Sequence, residues 1–78
     1  MDKKTIPELE EAVESATGID KILALAALGR SLVSVDISRS EALVEDAFKM
    51  NQEVGDELAT SKILNLRSDI KFAQGYYK

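Results

Sequence analysis

Apolar residues recur at intervals of three and four along the chain, and the polar positions between them divide it into four segments. In the first, Ile6, Leu9, Val13 and Ala16 form one narrow stripe while Glu8, Glu10, Glu11 and Glu14 take the rest of the surface, as expected of a helix that buries a single face. Thr5 stands at its start as a cap, and Glu8 three residues on completes a capping box. Pro7 falls in the first turn, where a missing N–H costs nothing, and Gly18 marks the end. These signals predict a helix over 6–16.

The second segment is apolar nearly all round, through Ile22, Leu23, Leu25, Ala26, Ala27, Leu28, Leu32 and Val33. Such a helix must be covered on more than one side, so this one, predicted over 21–35 with Asp20 as its cap, is the expected centre of the fold. Asp36-Ile37-Ser38 breaks the pattern, and Ser38 with Glu41 forms a second capping box that opens a helix over 39–54. Gly55 supplies the left-handed residue that closes it. Asp56 caps a fourth helix over 57–74, which carries Ala59, Ile63, Leu66, Ile70 and Ala73 on one side and is expected to stop at Gly75. Connections of about two to four residues place consecutive helices side by side and antiparallel. No strand pattern competes, so the fold class is all-α: one domain over 1–78 built from antiparallel helical hairpins.

Composition narrows the picture further. With 78 residues, the chain buries only about 60–65% of the surface its unfolded form exposes, and a thin core of Leu, Ile, Val and Ala is implied by an aromatic content of 5%. The net charge is −4, with Lys and Arg scattered rather than gathered into the basic stripe a phosphate backbone requires, which argues against a nucleic-acid partner. There is no Cys and no His, which removes disulfides, thiolate chemistry, the common zinc sites and the usual base at neutral pH. The expectation is a chain that is not an enzyme and takes no cofactor or metal. Met1-Asp2-Lys3-Lys4 is not followed by the apolar run of a signal peptide, and nothing approaches the roughly 20 apolar residues of a membrane span, so a cytoplasmic protein with no membrane partner is expected. An abrupt stop at Lys78 also reads as an excised fragment of a longer protein.

The remaining candidate chemistry has plain structural readings. Glu8, Glu10, Glu11 and Glu14 are the solvated face of the first helix and complement its positive end, in preference to a metal or acid/base cluster. Asp36, which could pair with Arg39 or meet a cation, reads as a turn or capping residue. Ser31, Ser34, Ser38 and Ser40 have no His to activate them and no nucleophile elbow around them. Isolated glycines at helix ends make no phosphate-cradling loop. Phe48 and Met50 read as core, and Tyr76-Tyr77 sits at a frayed end.

From Leu25 onward the chain resembles the tetratricopeptide repeat, a helix-turn-helix unit of about 34 residues. Leu25, Leu28-Gly29 and Leu32 stand where the family has a large residue, a leucine-glycine pair and another large residue, and Ser40, Val44 and Ala47 stand at its small, large and small positions. Gly29 costs an apolar helix about 1 kcal/mol against Ala, which makes sense where a neighbouring helix approaches closely. A second unit begins at Asp56, with Leu64 and Ser68 in the first-helix positions and Gly75-x-Tyr77 as the turn beyond. Between Gly29 and Ser68 the interval is 68 − 29 = 39 residues, so the match is to a long, divergent variant. Arg67 and Lys71 depart from the pattern, standing where large apolar residues are expected.

The resemblance implies a right-handed α-α superhelix fragment that binds another protein or a peptide, as the interaction arm of a larger bacterial regulatory or signalling protein. It also implies an inner face carrying Arg30 and Val33 from the second helix and Lys62, Asn65, Asp69 and Phe72 from the fourth. Arg30, Lys62 and Asn65 would hold a carboxylate or a peptide backbone by charge-assisted hydrogen bonds, while Val33 and Phe72 would hold an apolar side chain. The competing reading of the same residues is a mixed solvent face with Phe72 in the core. Such repeats are stabilised by stacking, so Ile63, Leu66, Ile70 and Phe72 are expected to form an uncovered stripe through which the chain forms a homo-oligomer. The alternative architecture is a freestanding four-helix bundle with a structural or oligomerising role and no ligand groove.

Overall fold

The computed structural model of the chain describes residues 5–76, and within them the polypeptide forms four helices and no strand: α1 (Ile6–Ser15), α2 (Gly18–Leu32), α3 (Ile37–Val54) and α4 (Glu57–Tyr76). The all-α class expected from the periodicity is what the structure has. Thr5 caps α1 as its sequence implied, its hydroxyl accepting from the Glu8 N–H while the Glu8 carboxylate accepts from the Thr5 N–H at 2.8 Å. Gly55 closes α3 with a φ of 71°, a backbone region that favours glycine. Asp56 caps α4, its carboxylate accepting from the Ala59 N–H at 2.8 Å.

Several helix ends differ from expectation, among them the end of α2, which stops at Leu32 and not at 35, and the end of α1, which stops at Ser15 and not at 16. Helix α2 begins at Gly18, and its cap position is Thr17, whose side chain makes no capping bond. Asp20 therefore lies inside the first turn, where a carboxylate still complements the helix dipole without capping it. The cap of α3 is Asp36, which accepts from the Arg39 N–H at 3.2 Å, so Ser38 is already helical. Starting there allows Ile37 to pack against the core in the first turn. Gly75 does not stop α4, which continues to Tyr76. A glycine with open space around it costs a helix only about 1 kcal/mol, too little to end one unaided. Tyr77, the far end of the proposed second turn, lies outside the described residues, as does the Met1–Lys4 opening.

Contacts between side chains fix the directions. Leu9 near the start of α1 packs with Leu28 and Leu32 near the end of α2, and Gln74 near the end of α4 donates to Glu41 near the start of α3. Both pairs run antiparallel. Helix α2 touches α1, α3 and α4, and α3 touches α4, whereas among the described residues the backbones of α1 and α4 do not approach each other. That pattern is open: an up-and-down four-helix bundle sets its first and last helices side by side. The central position expected for the all-round apolar helix is therefore the one α2 occupies.

The main core joins Ile22 and Leu25 of α2, Val44 and Ala47 of α3, and Ala59, Ile63, Leu66 and Ile70 of α4. The stripe expected to stand uncovered is thus mostly covered. Ile63, Leu66 and Ile70 retain 4% exposure or less, because α2 and α3 together form the cleft that receives them. Phe72 is the exception at 73% exposed, which also excludes it from the core. Phe48 is not a core residue either, for its ring lies at the surface beneath the Arg67 guanidinium, 4.5 Å from the ring centre. Met50 is half-buried against the core.

Two buried polar side chains hold the hairpins. The Ser40 hydroxyl, fully buried, donates to the Gly29 carbonyl at 2.6 Å and so clamps α3 to α2. The Asn51 amide donates to Thr60 Oγ1 at 2.7 Å and accepts from the Asp56 N–H at 3.0 Å, tying the last turn of α3 to the first of α4. At Gly29 the close approach inferred from sequence is present. A Cβ placed there would lie 2.8 Å from Leu66 Cδ2, so α4 occupies the room that the missing side chain leaves.

Candidate functional site

Where α2 and α4 lie alongside each other, a groove of about 530 Å³ opens to solvent, lined by Leu23, Ala26, Ala27 and Arg30 from α2 and by Leu58, Ser61, Lys62, Asn65 and Leu66 from α4. Its floor exists because Gly29 and Leu66 bring the two helices together, and its walls are the residues one step further round each helix. On α4, Leu58, Lys62, Asn65, Asp69 and Phe72 follow one another at spacings of four and three, which puts them on one face. On α2, Leu23, Ala26, Arg30 and Val33 do the same.

The six residues proposed from sequence fall along this seam. Arg30, Lys62 and Asn65 line the groove directly. Asp69 reaches across it to Arg30, with Oδ2 3.9 Å from Nε. Val33 and Phe72 line a separate apolar cavity of about 520 Å³ beyond the end of the groove, together with Ser34, Val35, Ile37, Ala73 and Gln74. Val33 is half-buried and also packs against the core, so its side chain is shared between the two roles. Arg30 and Asp69 are separated by the same interval as Gly29 and Ser68, and so are Val33 and Phe72.

Leu23, Ala26, Ala27, Leu58 and Ser61, which complete the walls, were not among the residues expected on the inner face. A signal for two of them was available. Stepping back four residues from Lys62 reaches Leu58, and stepping back four from Arg30 reaches Ala26, along the stripes already drawn. Leu58 is 56% exposed, so the groove combines an apolar wall at one end with cationic side chains further along.

Charge is unevenly placed. The seam holds two cations, Arg30 and Lys62, against the single carboxylate Asp69 on a chain whose net charge is −4. All three arginines form ion pairs between helices: Arg39 with Glu10, Arg67 with Glu45 and Arg30 with Asp69. Lys62 forms none among the described residues. No group of three or more acidic residues that could hold a metal ion occurs among the described residues, and no helix is long and apolar enough to cross a membrane. Comparison with protein-family models, with curated proteins and with solved structures finds no match to this chain.

Proposed function

We propose that this chain is a non-catalytic protein-interaction module that holds a peptide segment in the α2–α4 groove, in the manner of a tetratricopeptide-like array. The observation that carries the reading is the groove itself. Helices α2 and α4 lie alongside each other, and between them they gather Arg30, Lys62 and Asn65 beside the apolar Leu23 and Leu58. An ammonium, a guanidinium and a carboxamide can satisfy a ligand carboxylate and backbone carbonyls with charge-assisted hydrogen bonds, while the apolar walls accept a side chain. The open contact pattern of α1 and α4 favours this reading over a sealed structural bundle. Service as the arm of a larger bacterial regulatory or signalling protein in the cytoplasm is what the family resemblance adds.

The test is an array of fluorescein-labelled decapeptides in which two Leu and one Asp are moved through all spacings, read by anisotropy. Members that bind the wild-type chain should weaken at least about tenfold in the Arg30→Ala, Lys62→Ala double variant, since each lost charge-assisted bond contributes about 1.5 kcal/mol or more. Binding that survives the double substitution unchanged would move the ligand elsewhere. An array with no binder at all would favour the bundle without a groove.

A further inference from the structure

The three arginine pairs are not alike. Arg67 lies 3.2 Å from the Glu45 carboxylate with its guanidinium over Phe48, and Arg39 grips Glu10 in a close hydrogen bond; their side chains are 38% and 46% exposed. Arg30 stands apart, with a side chain 70% exposed and its carboxylate at 3.9 Å, too far for a hydrogen bond. An exposed pair at that distance is among the weakest kinds of ion pair and is readily exchanged. It is also the one that crosses the candidate groove, and the groove's second cation, Lys62, is not engaged by any acidic side chain among the described residues.

We propose that Asp69 is an internal counter-ion, a stand-in that occupies Arg30 until a ligand carboxylate displaces it. This rests on the peptide-groove reading above and adds a regulating residue to it. Asp69 lowers the affinity of the groove for every acidic ligand, because an incoming carboxylate must both part Asp69 from Arg30 and sit near its negative charge. Ligands that lack a carboxylate avoid both penalties. The groove therefore discriminates among acidic peptides by how well they bridge Arg30 and Lys62, and Asp69 sets the threshold.

The experiment uses the full chain and the decapeptide array, with each Asp peptide matched by its Asn counterpart, and compares wild type, Asp69→Asn, Arg30→Ala and the Arg30→Ala, Asp69→Asn double variant. Asp69→Asn keeps the side-chain shape and removes the charge. It should tighten the Asp peptides roughly threefold at low salt, the scale of an exposed ion pair, and leave the Asn peptides unchanged. In the Arg30→Ala background the gain should vanish. An equal gain with and without Arg30 would reduce Asp69 to a general negative charge, and no gain at all would overturn the assignment outright. Asp and Asn peptides that bind equally well both to wild type and to Asp69→Asn would sink the counter-ion idea while sparing the groove, whereas an array without binders would sink both.

Discussion

Helices α2 and α4 meet along one line and treat the two sides of it in opposite ways. On the inner side Gly29, Leu66, Ile63 and Ile22 are buried, and Ser40 donates to the Gly29 carbonyl. On the outer side, one helical step away, Arg30, Lys62 and Asn65 are exposed and Asp69 is half-buried along an open groove. The same pair of helices thus contributes to the shared core and carries most of the candidate recognition chemistry. The difference teaches where substitutions should be felt: inner positions through folding, outer positions through binding.

The comparison can be broken most forcefully from the inner side. Ile63→Ala removes a side chain that is 1% exposed and leaves a cavity among three helices, so urea denaturation should report a loss of about 3 kcal/mol. For a chain of this size, whose total stability is about 4–12 kcal/mol, that is enough to bring the midpoint down sharply. Next in size is Gly29→Val. Its added atoms would meet Leu66, Leu43 and the Ser40 carbonyl, and the overpacking should remove about 2 kcal/mol, more than the better helix propensity restores. A stable Gly29→Val chain with an unaltered circular dichroism melt would mean that α4 does not lean on Gly29.

Ser40→Ala should have a smaller effect, about 1–2 kcal/mol in the same denaturation assay, because it strips a buried carbonyl of its donor while leaving the apolar contacts in place. The outer side should respond least. Arg30→Ala and Lys62→Ala should each move the folding free energy by less than about 0.5 kcal/mol, since both side chains are exposed and only one of them is in an ion pair, a weak one. Their thermal midpoints should match wild type even as peptide affinity falls. A large stability loss in either variant would show that the outer side is structural after all, and the contrast between the two sides would collapse.

Much of this was legible in the residues. The spacing of Ile63, Leu66 and Ile70 identified an apolar face of α4, though one expected to stand uncovered, while the apolar surface of α2 identified the central helix and Gly29 a point of close approach. What the spacing could not say was which neighbour would cover the α4 stripe. Ile63, Leu66 and Ile70 are sheltered by α2 and α3 acting together, an arrangement that depends on the angle between two hairpins and leaves no mark in the periodicity of any single helix. Asp36 does cap α3, one of the two roles its sequence context offered, whereas the start expected from the Ser38–Glu41 capping box falls too late. Asp36 and Ser38 both have the chemistry of a cap, and the gain from bringing Ile37 into the core favours the earlier start.

The groove repeats the lesson at finer scale. Arg30, Lys62, Asn65 and Asp69 were expected on an inner face because the tetratricopeptide resemblance implied one, and the helical period keeps the members on each helix to one side of it. That the stripes come together, with Asp69 against Arg30 and Leu58 across from Leu23, follows from how far α4 slides along α2 before Leu66 settles at Gly29. A helix carries its own pattern of faces in its sequence because the backbone period is fixed by local hydrogen bonds. The offset between two helices is set by side-chain volumes from both, and it exists only once they are packed.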